Sequence, residues 1–210
     1  MGIQNLHIDR TILEPKSYFA LVLHAHLPFV RHPEHARFLE EDWFFEALTE
    51  TYLPLLDVFE GLARDSVPFR VTLSLTPPLL SMMTDPLLQQ RFLNYLDERL
   101  EALAGEQRRT SGDANYHPVV LFYTELFTRL RKRFVEQDRM DVSQSFRRLM
   151  EAGHLEIITC GATHGYFPLL AVNEESIYAQ LSMAVRTHER ILGRRPRGIW
   201  LPECGYKPGV

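Results

Sequence analysis

The sequence predicts an α/β fold on a parallel sheet that curls toward a barrel, and three observations predict it. Short apolar runs recur along the chain, the segments between them carry helical spacing, and polar side chains stand just past the end of each apolar run. Strands separated by helical crossovers run parallel. In such sheets chemistry gathers at the carboxyl ends of the strands, where loops leave a rigid scaffold. With 210 residues, 45% hydrophobic and 24% charged, the chain is long and apolar enough for one well-cored soluble domain rather than a disordered one.

The first run, Tyr18 to Leu23, reads as a strand buried on both faces, and it delivers His24 and His26 at its end. From Trp43 to about Arg64 the spacing of Phe44, Leu48, Leu55, Phe59 and Leu62 is helical, with Pro54 breaking or kinking the segment. A second strand spans Phe69 to Leu75 and ends at Thr76. Asp85 and Pro86 form an N-cap and first helical position, opening a helix to about Ala104. Gly105 to Pro118 is the most loop-like stretch, and helices follow over about Val119–Gln137 and Val142–Ala152. The helical block over about 86–152 is therefore an insertion between strands two and three. Gly153 closes it, and Leu155–Thr159 is the third strand, running into a glycine-rich turn that displays Thr163 and His164. Asn173 caps a helix with Ile177, Leu181, Ala184, His188 and Ile191 on one face, which stops at Gly193 before the fourth strand in RRPRGIWLPE.

Charge and cysteine usage narrow the function classes. A net charge of −4 gives no footprint for nucleic acid or an acidic membrane surface, so partners are neutral or small. Cys160 and Cys204 are too few for a disulfide framework and have no C-x-x-C spacing, which fits the reduced thiols of a cytoplasmic protein. The tail over residues 1–17 has acidic residues early and no apolar core of a signal peptide, and Leu6 stands where myristoylation prefers Ser or Thr. No later segment has the roughly 18 apolar residues of a membrane span. Neither leader nor anchor is expected.

Curling the sheet into a barrel brings His24, His26, Thr76, His164 and Glu203 to one rim. On extended backbone, the two imidazoles of His24 and His26 share a face, which suits a metal pair or a sugar-hydroxyl clamp, or else a structural pair bonded to carbonyls. A carboxylate at the end of a buried-looking strand is paired, solvated in a cleft, or used, and Glu203 in GIWLPECGY is the prime candidate. Trp43 and Tyr166 are candidates for stacking on sugar rings, whereas Phe44 belongs to the core. Cys204 is read as a packed structural thiol, and His7, His32, His35, His117 and His188 have no partner at ligand spacing.

The segments LVLHAHLPFVRHPE, HLEIITCGATHGYFPLL and GIWLPECGY resemble, in order and spacing, the first three signature regions of glycoside hydrolase family 57, most closely its branching members. The resemblance covers nearly the whole chain from Tyr18 onward. It implies a distorted seven-stranded (β/α)7 barrel and a retaining mechanism on α-glucans such as amylose or glycogen, without a metal or other cofactor. By position Glu203 matches the nucleophile, and His24, His26 and His164 match histidines of the sugar subsite beside the scissile bond. The branching reaction would cleave an α-1,4 link through a covalent glucosyl-enzyme and pass the donor to a 6-hydroxyl. In the family the general acid, an aspartate, lies in a fourth region downstream, beyond Val210 here. The expectation is an N-terminal part of the catalytic domain, inactive alone. Amylase or 4-α-glucanotransferase activity, a metal-dependent polysaccharide deacetylase-like barrel using His24 and His26, and a non-catalytic glucan-binding fragment are the alternatives.

Overall fold

The computed structural model describes residues 17–209. The tail read over 1–17 falls almost wholly outside them. Among the described residues, β1 (Val22–Ala25), β2 (Val71–Leu75) and β3 (Leu155–Ile158) form one parallel sheet in the order β1-β2-β3. Val22 pairs with Thr72, and Thr72 with Glu156. Alternation along each strand sorts the side chains by face. Leu23, Ala25, Leu73, Leu75, Leu155 and Ile157 point into the helical layer and its core, while Val22, His24, Thr72, Ser74, Glu156 and Ile158 line the other face.

The first strand is shorter than expected and is not buried on both faces. Tyr18 and Phe19 are 87% and 90% exposed, and Val22 and Leu21 are also open to solvent. β1 is the sheet edge among the described residues, so a continuous apolar run here has a neighbour on one side only. The fourth strand is likewise reduced to a single parallel bridge between Thr159 and Ile199. Its hydrogen bonds are Thr159 N–H to Gly198 O (3.1 Å) and Trp200 N–H to Thr159 O (2.9 Å). Pro196 and Pro202 flank it, and neither can donate to a ladder.

Helices α1 (Leu39–Ala47) and α2 (Leu53–Arg64) are joined without a break by a π-helical turn over Leu48–Tyr52. The Leu53 N–H bonds to Leu48 O, one residue wider than an α-turn, and this widening accommodates Pro54, which has no N–H to give. After β2 come α3 (Pro77–Met83) and α4 (Pro86–Thr110). Asp85 caps α4 as expected, its carboxylate accepting from Leu87 N–H and Leu88 N–H. The helix then runs through Gly105, where the sequence predicts a loop. Glycine costs about 1 kcal/mol inside a helix, and packing against α5 (His117–Lys132) overrides it, with Gln107 Nε2 donating to Thr124 Oγ1 at 2.9 Å. A π-turn over Arg133–Gln137 and α6 (Ser143–Glu151) complete the block that precedes β3. The last helices are α7 (Phe167–Leu170) and α8 (Glu174–Leu192), the latter capped by Asn173 and stopped at Gly193, whose φ of +79° needs glycine.

The core lies between the sheet and these helices. Leu53 and Leu56 of α2, Leu79 and Leu80 of α3, Phe92 and Leu96 of α4, and Phe134 and Phe146 are all fully buried in one cluster with Leu73 and Leu75. Phe44 belongs to it, as expected. This apolar slab fixes β1, β2 and β3 so that their carboxyl ends share one edge. No helix among the described residues is long and apolar enough to cross a membrane.

Candidate active site

At that edge the sequence's separate polar residues meet. His24 and His26 leave β1, His164 comes from the turn after β3, and Glu203 from a short 3₁₀ turn, Pro202–Cys204, after the Ile199 bridge. The rings of His26 and His164 stack face to face, centroids 3.6 Å apart and planes 10° from parallel. His24 lies 5.5 Å from His164 and 6.2 Å from His26. His164 Nε2 is 3.2 Å from Glu203 Oε1. The histidine side chain is 8% exposed and the carboxylate 73%, so the pair has a buried imidazole inside and an open acid outside.

Local backbone explains how these groups are aimed. His164, Glu203 and Cys204 all adopt left-handed backbone, with φ of 57°, 53° and 55°. Non-glycine residues avoid that region, and such conformations persist where surrounding structure over-determines them. The turn carrying His164 is clamped by Gln180 of α8, which accepts from Thr163 N–H (2.9 Å) and donates to Thr163 Oγ1 (2.7 Å). At Gly161 three segments close in: a Cβ there would meet Phe167 at 2.9 Å and Gln180 and Pro202 at 3.2 Å. His26 is steadied by a 3.1 Å contact between Nδ1 and Oγ1 of Thr76, the buried residue that begins α3.

The electrostatics hold two of the rings neutral beside one acid. Loss of hydration, followed by the neighbouring rings of His164 and His24, lowers His26 to about 4, although Glu203 pulls the other way. His24 is lowered too, by the same loss of hydration and by His164. Both rings are therefore uncharged at neutral pH. Among the described residues Glu203 meets no arginine or lysine; its one basic neighbour is His164. No group of three His, Cys, Asp or Glu among them is arranged to hold a metal ion.

The two aromatic candidates fare differently. Tyr166 is half-exposed and packs against Gly205, where a side chain would collide with its ring, so it lies beside the Glu203 turn. Trp43 is half-exposed on α1 and takes no part in the ring stack. The stack instead has Trp200, 6.2 Å from His24 and tilted 33°, which sequence reasoning passed over although it stands three residues before Glu203. Cys204 is exposed rather than packed, because the left-handed turn points it outward, and Cys160 is the buried thiol. The 3.3 Å contact of Cys160 Sγ with His164 Nδ1 and the Gln180 clamp were also missed. His188, given no role, is buried with its ring nitrogens 2.8 Å and 3.2 Å from the carbonyls of Arg194 and Ile157, a structural tie between α8 and β3.

The parallel α/β scaffold thus carries an acid and three imidazoles at the carboxyl ends of its strands, the edge where TIM-like folds place their chemistry. The family model for glycosyl hydrolase family 57 matches residues 20–210, and the chain belongs to that family. It is 38% identical over 194 residues to a 1,4-alpha-glucan branching enzyme of Thermococcus kodakarensis, covering 92% of this chain and 28% of that one. A probable 1,4-alpha-glucan branching enzyme of Mycobacterium tuberculosis is 30% identical over 205 residues, which are 91% of this chain and 38% of the relative. Among solved structures, an alpha-amylase of Thermotoga maritima superposes with a TM-score of 0.86 at 40% identity, over 90% of this chain and 36% of that one. A GH57-type branching enzyme of Pyrococcus horikoshii gives 0.84 at 36% identity, over 91% and 35%. The chain thus spans roughly a third of the length of the relatives it matches.

Proposed function

We propose that this rim is the donor half of a retaining α-glucan site, with Glu203 as nucleophile and His24, His26 and His164 as the sugar subsite. The observation that carries the reading is the solvent-open Glu203 carboxylate, 3.2 Å from His164 Nε2 and free of any arginine or lysine partner among the described residues. A charged, unneutralised carboxylate is what attack on an anomeric carbon requires. The uncharged imidazoles of His24 and His26 can bond sugar hydroxyls without placing positive charge against the developing oxocarbenium ion. Tyr166 and Trp43 are proposed as stacking surfaces at the flank, with Trp200 nearer the rings.

In a retaining mechanism a second carboxylate about 5 Å away protonates the leaving oxygen and later deprotonates the acceptor. We place that acid outside this segment, in the remainder of a (β/α)7 barrel whose N-terminal part is residues 18–210 and whose helical insertion is about 86–152. The reaction is α-1,6 branching of amylose or glycogen, in the cytoplasm. The name borne by the 38%-identical relative supports it. The alpha-amylase that superposes at 0.86 favours a second reading, in which water takes the donor instead.

The test is trapping. In a chain extended to the length of its relatives, a fluorinated α-glucosyl fluoride should label one peptide, the one bearing Glu203, and Glu203→Gln should abolish labelling. Labelling at another carboxylate would overturn the assignment. The 210-residue chain alone should give no iodine-complex spectral shift with amylose, and robust branching by it would refute the proposed division of the site.

A further inference from the structure

We propose that Cys160 is a positioning residue, whose thiol donates a hydrogen bond to Nδ1 of His164 and so holds that ring in the tautomer presenting Nε2–H to Glu203. The inference rests on the reading of Glu203 as a working carboxylate and deepens it. An ionised carboxylate only accepts, so the 3.2 Å contact between His164 Nε2 and Glu203 Oε1 needs the proton on Nε2. The Nδ1 lone pair then needs a donor, and the group in reach is Cys160 Sγ at 3.3 Å.

The surroundings make this a restraint rather than a coincidence. Cys160 is fully buried and follows Thr159, whose backbone bridges to Ile199 on the segment that leads to Glu203. Burial pushes the thiol up to about 11, so it keeps the proton it must donate. The His26 ring lies flat on His164 at 3.6 Å and prevents tilting. What remains open to His164 is a half-turn about its Cβ–Cγ bond, which returns the ring to the same plane with its atoms exchanged, or a change of tautomer, and the thiol opposes both. Holding Oε1 in this way leaves the other Glu203 oxygen for the sugar.

The experiment is long-range proton–nitrogen correlation NMR on the 210-residue chain with ¹⁵N-histidine, at neutral pH. In the wild type His164 should appear with Nε2 protonated and Nδ1 bare. A solvent-exposed neutral histidine side chain already leans that way, so the variants decide. Cys160→Ala should move the tautomer ratio about fivefold toward Nδ1–H, the size of one lost hydrogen bond, and Cys160→Ser should restore it. If the alanine variant unfolds, Cys160→Val fills the space without a donor and makes the same comparison, with the buried His188 signals reporting an intact fold. An unchanged ratio in a folded donor-less variant overturns the proposal. So does an imidazolium facing a thiolate in the wild type. Failure of the active-site reading would look different: His164 would keep its Cys160-dependent tautomer, and sugar would leave the ring signals unmoved.

Discussion

Two assemblies of ionisable groups gather residues from distant parts of this chain, and they are built on opposite plans. In the helical layer, Arg133 is buried and meets Asp57 at 2.6 Å, Glu60 at 2.7 Å and Asp138 at 3.3 Å, tying α2 to the turn before α6. Ser145 adds a donor to Asp138 Oδ1. Burial works against the Arg133 charge, but the hydrogen bonds and charges of its acidic neighbours outweigh it and raise its pKa. At the rim, Glu203 has one partner among the described residues, a histidine, and most of its surface faces water. The first cluster pairs its charges internally and holds helices together, although Arg133 Nε and Asp138 Oδ2, 3.3 Å apart, make no hydrogen bond. The second leaves an acid without an arginine or lysine partner among the described residues, on left-handed backbone.

That contrast can be broken in four places. Glu203→Gln, in a chain of its relatives' length, should lower glucan transfer by about a thousandfold or more, while changing stability by less than about 0.5 kcal/mol because the site is exposed. Steady-state kinetics with urea titration checks both halves. Arg133→Met should do the reverse, costing about 3–5 kcal/mol by stranding the buried Asp138 charge, with the His164 and Glu203 geometry intact by NMR. Gly205→Ala, which drives a methyl into the Tyr166 ring, should cost about 1–3 kcal/mol and disturb the rim locally, visible as shifted Tyr166 ring signals.

The smallest effect is the pH dependence. Folding holds His26 at about 4 rather than 6.5, so between those values the unfolded chain binds a proton that the folded chain refuses. This contribution to stability is present above pH 6.5 and is lost as pH falls toward 4. His24 and His188 are lowered as well and act in the same direction. His26→Asn should flatten the slope of melting temperature against pH over that window, as read by calorimetry.

How far the sequence carried these conclusions depends on the kind of signal. The α/β class, the three strand positions, the Asp85 and Asn173 caps and the convergence of His24, His26, His164 and Glu203 were legible, because each rests on periodicity or on local turn chemistry. The extent of β1 was not, since an apolar run does not say how many neighbours its strand has. Nor was the continuity of α4 through Gly105, where packing by α5 overrides a weak local preference. At the site, Gln180 and Cys160 act across 17 residues and four residues, through a helix face and a tight turn. Neither separation carries a recognisable spacing, so their roles emerge only from coordinates. Cys204 went the other way, because its left-handed φ places the thiol outside.

The central claim is that one glucan-sized surface is shared by the Glu203 carboxylate and the three imidazoles. Titrating the histidine-labelled chain with a linear maltooligosaccharide tests it most directly. The account predicts that His24, His26 and His164 shift together along one saturation curve while His188 and His117 stay still. Saturable binding that leaves those three rings unmoved would contradict it.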